Sequence, residues 1–435
     1  MALNDASVPE ASSKLTSNQI RGFLAAWGGW SLDGMDAFIY ALVLVPALTE
    51  LLPRSGIEAT PTNVGYYGSL LFAMFLFGWG LSMLWGPIGD RIGRVRTLML
   101  TILCYSLFTF LCGLVTNIWQ LAVLRVLCGF GIGGEQPIGA AYIAEELPED
   151  RRKMGAGLMH TGYYFGFFFA AVANYFIGAN YGWRWMFVFG GAPALLIGFI
   201  RYGVRESAKW QDKFGDGSHR PAMRDAFGAL FSPAYLRRTV VMSGLFLVSI
   251  IGLWAGSIYV PTAVTQLAVR SGAEAADAAR LASYGSMVLA IATILGCIAA
   301  PILAERFGRR WTMGGFFIVM GVSIAIAFGS IFYLAAQALT WFFVAIFFLG
   351  LGGANFAMYT LWLPEQYPTE CRASAIAFVS SVGRFVGVVM VFLLATGISF
   401  FGTLGTPVAL TSIAFLVGLL LLPFSEETKG KELPA

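Results

Sequence analysis

Two carboxylates lie three residues apart within an apolar stretch near the start of the chain. The segment WSLDGMDAFIY, residues 30–40, contains Asp33 and Asp36 and belongs to an apolar run, 20–48, that is long enough to cross a bilayer. A charged side chain at bilayer depth costs from about 2.5 kcal/mol upward. Residues three apart share a helix face, so both carboxyls are expected to face the protein interior, where one can bind and release a proton. A purely structural role is the alternative, and the sequence does not separate the two residues.

Further charged side chains lie in the apolar run that starts near residue 118. Arg125 keeps its charge and needs an anionic partner, for which the two aspartates are the candidates. An ion pair that protonation breaks would couple proton binding to helix movement, whereas a permanent ion pair would be structural. Glu135 is a second candidate proton site, with packing between glycines as the alternative. Its neighbour Gln136 is a candidate hydrogen-bond donor to a substrate.

Arg384 is the basic residue of a second, distant site. It follows Arg372 by twelve residues, which places it about 18 Å along a helix and near the middle of a membrane. A guanidinium is a planar fork that fits a carboxylate. The position therefore predicts a binding site for a substrate anion, with an internal ion pair as the alternative.

Aromatic side chains could complete a substrate pocket near these charges. His160 is instead expected to be structural and near the cytoplasmic end of its helix. The aromatic candidates are Tyr40, Tyr164, Trp254, Tyr259, Tyr359 and Trp362.

The composition requires helices in lipid to position these residues. The chain is 57% hydrophobic and 12% charged, against about 25% charged residues in a soluble protein. The five cysteines have neither metal-ligand spacing nor a disulfide framework, and we expect no cofactor and no metal. A membrane enzyme is disfavoured because there is no P-loop, no GxGxxG after a strand and only two histidines. A sensor on the same scaffold is a further alternative.

The apolar runs predict an all-α membrane protein with twelve transmembrane helices in two pseudo-symmetric six-helix bundles. The segments that share a side with the two termini hold 22 of the 28 Lys and Arg residues, and the opposite side holds four. Positive residues concentrate in the cytoplasm, so both termini are predicted to be cytoplasmic. The predicted spans start near residues 20, 65, 97, 118, 154, 184, 238, 281, 311, 335, 373 and 403. The predicted parts are a cytoplasmic tail (1–19), an N-terminal bundle (20–202), a cytoplasmic linker (203–237), a C-terminal bundle (238–424) and a cytoplasmic tail (425–435).

A repeated loop motif supports the two-bundle organisation. GPIGDRIGRVR, residues 86–96, aligns with PILAERFGRRW, residues 301–311. Parallel repeats with a site between the halves are a known transporter plan. Charged residues of these and related loops are expected to hold the cytoplasmic side shut without touching substrate. The candidate gating residues are Gly86, Asp90, Arg91, Gly93, Arg94, Glu305, Arg306, Arg309, Glu146, Arg152, Glu365 and Arg372.

These motifs resemble the major facilitator superfamily. GPIGDRIGRVR is similar to its loop signature, and RVLCGFGIGG, EELPEDRRKMGAG, PEQYPTECRA and SEETKGKEL are similar to its sugar- and organic-acid-porter branches. The first span resembles that of the sialate and aromatic-acid proton symporters, which carry an Asp-Gly-aromatic-Asp motif; Met35 replaces the aromatic here. The span HTGYYFGFFFAA lacks the Gly-Pro pair of many drug antiporters.

The resemblance and the charges together predict a secondary transporter. We expect proton-coupled symport of a small organic acid anion, namely a monocarboxylate, aromatic acid or sialate-like compound, by alternating access. A proton-coupled sugar or polyol symporter is the alternative, and Arg384 favours the anion. The expected partners are this anion, the proton and the bilayer, with no nucleic acid. The chain is expected to work as a monomer in a bacterial inner membrane.

Overall fold

The first part of the chain is a series of long helices. The computed structural model describes residues 14–214, 222–257 and 259–434, in which the regular elements are helices and no strand occurs. The predicted tail 1–19 therefore lies mostly outside the described residues, as does 215–221 of the linker. The helices of the first half are α1 (Ser17–Arg54), α2 (Pro61–Leu81), α3 (Trp85–Ile92), α4 (Arg94–Cys112), α5 (Ile118–Ile132), α6 (Glu135–Glu146), α7 (Glu149–Ala173), α8 (Ala179–Tyr181), α9 (Trp183–Gly190) and α10 (Ala194–Gly203).

Two short helices, α11 (Ala208–Phe214) and α12 (Met223–Ala229), separate this first half from a second half. The helices of the second half are α13 (Leu236–Gly252), α14 (Val260–Arg270), α15 (Ala275–Phe307), α16 (Arg309–Gly329), α17 (Ala338–Gly353), α18 (Asn355–Trp362), α19 (Arg372–Phe401), α20 (Gly405–Leu410) and α21 (Ile413–Leu421).

Nine helical stretches among the described residues are long and apolar enough to cross a membrane. The spans predicted near residues 154, 184 and 238 are not among them. In the span predicted near residue 154, helix α7 starts with the charged sequence EDRRK. In the span predicted near residue 184, the apolar part reaches only from Trp183 to Ile197. In the span predicted near residue 238, a π turn, Leu253–Ser257, interrupts the helix. These three segments are therefore shorter or more polar than the sequence pattern suggested.

Two long spans each contain a short turn. Helix α5 ends before the pair Gly133 and Gly134, and α6 starts at Glu135. Helix α17 likewise ends at Gly353, and α18 starts at Asn355. The backbone stays right-handed and hydrogen-bonded through both turns, so each pair of helices forms one continuous span.

Glycines allow helices α1 and α7 to approach closely. An ideal Cβ at Gly34 would lie 2.2 Å from the Tyr163 carbonyl oxygen, and one at Gly166 would lie 2.0 Å from the Ser31 carbonyl oxygen. Small residues at helix contacts are a common way to pack helices in lipid. Gly34, which stands between the two aspartates in the sequence, is therefore explained by packing.

Both described chain ends lie at one face of the molecule. Near the start, Asn18 donates to the Glu146 carboxylate at 2.7 Å. Near the end, Arg372 donates to the Pro434 carbonyl at 2.6 Å. The loop motifs lie at the same face, and we call it the motif face.

The close approach at Gly34 gives a stability prediction. Gly34→Ala is expected to cost about 1–3 kcal/mol, because the new methyl group overlaps the Tyr163 carbonyl. Gly315→Ala in α16 is the control, since a Cβ there meets nothing within 4 Å. Thermal unfolding of both variants in detergent checks this, and equal melting temperatures for the two variants would contradict the packing role.

Candidate functional site

Asp36 and Arg125 form a loose, fully buried ion pair. Asp36 Oδ1 accepts a hydrogen bond from Thr109 Oγ1 at 2.6 Å, and Asp36 Oδ2 lies 3.9 Å from Arg125 Nη1. Both charged side chains are 0% exposed. At 3.9 Å the pair is too long for a direct hydrogen bond, so the attraction is electrostatic and can be broken.

Aromatic rings complete the surroundings of Arg125. Its guanidinium carbon lies 4.3 Å from the ring centroids of both Tyr40 and Phe75, and cation–π contacts of this kind stabilise a desolvated cation. Tyr40 donates its hydroxyl to the Gly68 carbonyl at 3.1 Å. The structure therefore places Tyr40, a predicted substrate contact, on Arg125.

Asp33 and Glu135 are buried acids with free oxygens. Neither oxygen of Asp33 has a hydrogen-bond partner among the described residues, nor has Glu135 Oε2. Glu135 Oε1 accepts from the Thr101 hydroxyl, and Oε2 lies 2.3 Å from where a Cβ on Gly29 would stand. Gly29 precedes Asp33 by one helical turn on α1, so the Glu135 carboxylate of α6 lies close to Asp33. The adjacent Gln136 is buried with an unpaired side-chain nitrogen.

Arg384 is a buried cation for which the described residues supply no carboxylate. It is 5% exposed, and its Nε and Nη1 have no hydrogen-bond partner in this part of the chain. Its guanidinium lies 4.1 Å from the Trp79 ring and 5.6 Å from the Phe246 ring. Arg384 thus belongs to the second half and contacts the first half through Trp79.

Side chains of both halves meet in a continuous series of contacts, which we call the aromatic circuit. Phe246 contacts Phe356 at 5.5 Å between ring centroids, and Phe356 stacks on His160 at 6.3 Å. His160 contacts Trp30 at 5.8 Å, and Trp30 contacts Tyr163 at 4.9 Å. In order, the circuit is Arg384, Phe246, Phe356, His160, Trp30 and Tyr163.

His160 lies in the first half of helix α7 and stacks on Phe356 of the second half, so it stands between the halves. Nδ1 of His160 and Nε1 of Trp30 have no hydrogen-bond partner among the described residues. Sequence reasoning missed Trp30, Trp79, Phe246 and Phe356 because aromatic residues are common in this chain and most of them face lipid or core.

The other predicted aromatic contacts divide into two groups. Tyr164 contacts His160 at 6.5 Å, and Tyr359 contacts Phe246 at 4.6 Å while its hydroxyl bonds to Ser249 at 2.9 Å. Both therefore border the circuit. Trp362 instead donates to the Glu426 carbonyl at 3.0 Å, which places it at the motif face. Tyr259 is half-buried at the start of α14, and the side chain of Trp254 lies outside the described residues.

Contacts at the motif face cross between the halves. Asp90 accepts from the backbone N–H groups of Ala373 and Ser374 at 3.1 and 2.9 Å, and from Arg94 at 2.9 Å. A carboxylate at a helix N-terminus is stabilised by the free N–H groups and the helix dipole. Asp90 of the first half thus caps α19 of the second half.

A buried arginine–glutamate cluster lies beside this cap. The Glu145 carboxylate accepts from Arg94 at 2.8 Å and from Arg372 of the second half at 2.8 Å. The related cluster of the second half joins Glu365 to Arg309 at 2.8 Å and to Arg152 of the first half at 3.5 Å. Both clusters therefore link the halves.

The remaining gating candidates lie at the same face. Glu305 pairs with Arg309 at 2.6 Å and with Lys153 at 3.0 Å, and Glu146 accepts from the Ala208 N–H at 3.1 Å. A Cβ at Gly86 would lie 2.5 Å from Ser374 Cα, so the halves touch there. Gly93 has a φ of 104°, which favours glycine. Arg91 and Arg306 are exposed.

Two acids that the sequence did not single out support the turns at Gly93 and Gly308. Glu206 accepts from the Arg94 and Val95 N–H groups at 2.8 and 3.1 Å. Glu427 accepts from the Arg309 and Arg310 N–H groups at 3.0 and 3.1 Å. The signal that could have found them is the repeat itself, since each acid follows an apolar span, in RESAK and in SEETK.

The two acids differ in electrostatics. Burial raises the pKa of Glu206 and outweighs its hydrogen bonds. Burial also opposes ionisation of Glu427, but the backbone N–H groups of Arg309 and Arg310 win and lower its pKa. Folding therefore makes ionisation of Glu427 more favourable and ionisation of Glu206 less favourable.

Two sets of apolar helices that meet around buried, unpaired charges define a membrane transporter of small molecules. Residues 26–305 match the model of the Major Facilitator Superfamily, and the chain belongs to this family. It is a multi-pass membrane protein and a transporter, not an enzyme.

Known relatives span almost the whole chain. The chain is 30% identical over 425 residues to the "Probable 4-methylmuconolactone transporter" of Cupriavidus pinatubonensis, covering 95% of this chain and 91% of that protein. It is 26% identical over 440 residues to the niacin transporter NiaP of Acinetobacter baylyi, covering 93% of each. These relatives confirm the resemblance to the organic-acid branches, and their bacterial origin agrees with the predicted inner-membrane location.

The chain also matches a solved structure, that of the proton:xylose symporter XylE bound to 6-bromo-6-deoxy-D-glucose. The TM-score is 0.72 and the sequence identity is 19%, and the match covers 96% of this chain and 98% of that one. This match confirms the all-helical fold of the superfamily.

The unequal pKa shifts of the two turn-supporting acids give a second prediction. Glu427→Gln is expected to lower stability at neutral pH by about 1 kcal/mol, as for the loss of a charged helix cap. Its lowered pKa means that the contribution is present above the ordinary Glu range and is lost as the pH falls through the folded-state pKa. Thermal unfolding of wild type and variant across this pH range checks both statements.

Glu206→Gln is the matched control for Glu427→Gln. Because burial makes ionisation of Glu206 less favourable in the folded state than in the unfolded chain, this variant should lose less stability at neutral pH than Glu427→Gln. A larger loss of stability in Glu206→Gln than in Glu427→Gln at neutral pH would contradict the assignment.

Proposed function

We propose that the chain is a proton-coupled symporter, which takes up a small organic acid anion by alternating access. In this proposal twelve membrane crossings form two six-helix halves, 20–202 and 238–424, and both termini, the linker 203–237 and the motif face are cytoplasmic. The single observation that carries the proposal is the buried guanidinium of Arg384, which lacks a carboxylate partner among the described residues.

The anion follows from the energetics of Arg384. An isolated buried cation is costly, and its cost is offset only by a paired anion or by hydrogen bonds. Two aromatic faces supply part of this compensation, but two guanidinium nitrogens stay unpaired. A substrate carboxylate that binds these nitrogens completes the pairing at the contact between the halves. The organic-acid relatives support this choice over a sugar.

Coupling to protons is assigned to the acids of the first half. Asp33 and Glu135 have free buried oxygens, which suits groups that bind and release a proton. Asp36 is held by Thr109 and Arg125, so protonating it would release Arg125. Either event changes the charge on α1 and can shift the helix against its neighbours. Gln136, beside Glu135, is kept as a candidate substrate donor.

The motif face supplies the gate. The contacts of Asp90 with α19, of Arg372 with Glu145 and of Arg152 with Glu365 all cross between the halves. Each must break before this face can open to the cytoplasm. The structure with these contacts formed therefore corresponds to a state closed on the cytoplasmic side. The transporter is proposed to complete this cycle as a monomer.

Loss of the candidate proton sites gives a prediction for transport. Asp33→Asn or Asp36→Asn should abolish accumulation of substrate driven by a pH gradient, because a carboxyl that exchanges a proton is removed. Counterflow exchange, which needs no gradient, should partly remain. Asp36→Asn should also unfold at lower temperature, since Arg125 loses its anion. Full accumulation in both single variants and in the double variant would rule out these sites.

Arg384 provides the central test. Binding of nicotinate and benzoate, and of their amides nicotinamide and benzamide, is measured by calorimetry in detergent. Wild type should prefer an acid over its amide. Arg384→Ala should weaken acid binding about tenfold to a hundredfold, because a hydrogen-bonded charge is lost, and Arg384→Lys should also weaken it, because the fork is lost.

The amides act as internal controls in this test, since they lack the charge that Arg384 would bind. Arg280→Ala, at an exposed arginine, should leave all affinities unchanged. The organic-anion proposal fails if no acid binds more tightly than its amide, or if Arg384→Ala keeps its affinity for the acid.

A further inference from the structure

The aromatic circuit has two polar poles, of which the proposed function uses only one. Arg384 is the first pole. His160 and Trp30 form the second, because each carries a ring nitrogen without a hydrogen-bond partner among the described residues. His160 and Trp30 are each 4% exposed. Buried polar atoms are rarely left unpaired, since each costs about 1–3 kcal/mol, so these nitrogens require a partner of their own.

The order of contacts separates the two poles by two aromatic rings. Phe246 and Phe356 stand between Arg384 and His160. Trp30 contacts His160 and, in turn, Tyr163. A ligand that reaches both poles therefore carries its carboxylate at one end and a hydrogen-bonding group at the other, with aromatic rings beside it.

We propose that His160 and Trp30 determine substrate specificity by binding a hydroxyl group on the substrate ring, at the end opposite to the carboxylate. This inference rests on the proposed function, because the carboxylate must lie on Arg384. The indole N–H of Trp30 can only donate, whereas Nδ1 of a neutral histidine can donate or accept. A hydroxyl can accept from Trp30 and exchange a second hydrogen bond with His160, so it satisfies both nitrogens. The aromatic walls of the circuit favour a planar ring between the two ends.

The test compares three ring acids that differ by one feature each. 4-Hydroxybenzoate has both polar ends, benzoate lacks the hydroxyl, and cyclohexanecarboxylate lacks the flat ring. Calorimetry in detergent is expected to show about tenfold tighter binding of 4-hydroxybenzoate than of benzoate to wild type, the gain of a buried hydrogen bond. Cyclohexanecarboxylate should bind more weakly than benzoate.

Variants that remove only the nitrogen test the residues. Trp30→Phe and His160→Phe keep an aromatic ring and should lose the preference for 4-hydroxybenzoate over benzoate. Thermal unfolding of both variants in detergent shows that they are folded. Trp27→Phe is the matched control, because the Trp27 indole already donates to Thr161 at 3.2 Å and its loss should leave the preference unchanged.

The outcomes separate this inference from the proposed function. Equal binding of 4-hydroxybenzoate and benzoate to wild type overturns the inference, as does a preference that survives in both Trp30→Phe and His160→Phe. It is also overturned if wild type binds none of the three ring acids but binds lactate in an Arg384-dependent manner, a result that leaves the organic-anion proposal intact. Binding of the ring acids that does not depend on Arg384 overturns the proposed function instead.

Discussion

The structure depends on how charge is neutralised inside an apolar helix bundle. A buried charge without a partner costs several kcal/mol, and the two regions of the molecule meet this constraint differently. At the motif face, Arg94, Arg309 and Arg372 each pair with a glutamate and also donate to backbone carbonyls. Arg384, between the halves, and Asp33, on α1 of the first half, lack such partners in the described chain. Paired charges hold a conformation, whereas unpaired ones leave capacity for a ligand or a proton.

This division explains why the gate and the site can work together in the proposed cycle. The gate contacts of Asp90 and Glu145 cross between the halves, and so do the contacts of Arg384 with Trp79 and of His160 with Phe356. Relative movement of the halves must therefore change both sets at once.

Much of the fold could be predicted from the sequence, because hydropathy and the repeated motif report directly on helices in lipid. The repeat correctly paired the turn at Gly93 with the turn at Gly308, whose φ angles are 104° and 91°. The weaker spans were harder, because breaks such as the π turn at Leu253–Ser257 depend on tertiary contacts. For the site, charges in apolar runs were visible in the sequence. Trp362 was misplaced and Trp30 was missed, because no sequence pattern distinguishes an aromatic residue at the interface from one in lipid.

The two pseudo-symmetric turns are not equal in strength. Asp90 is fully buried and caps α19 across the interface. Its counterpart Glu305 is 44% exposed and reaches the first half only through Lys153. Solvated ion pairs contribute about 0–1 kcal/mol, whereas a charged cap in a buried setting contributes more. In the proposed cycle, the contacts between α7 and α15 near Glu305 therefore separate more easily than those between α3 and α19 near Asp90. Opening of the motif face would begin at the turn of the second half, and release of Asp90 from α19 would be the later and costlier step.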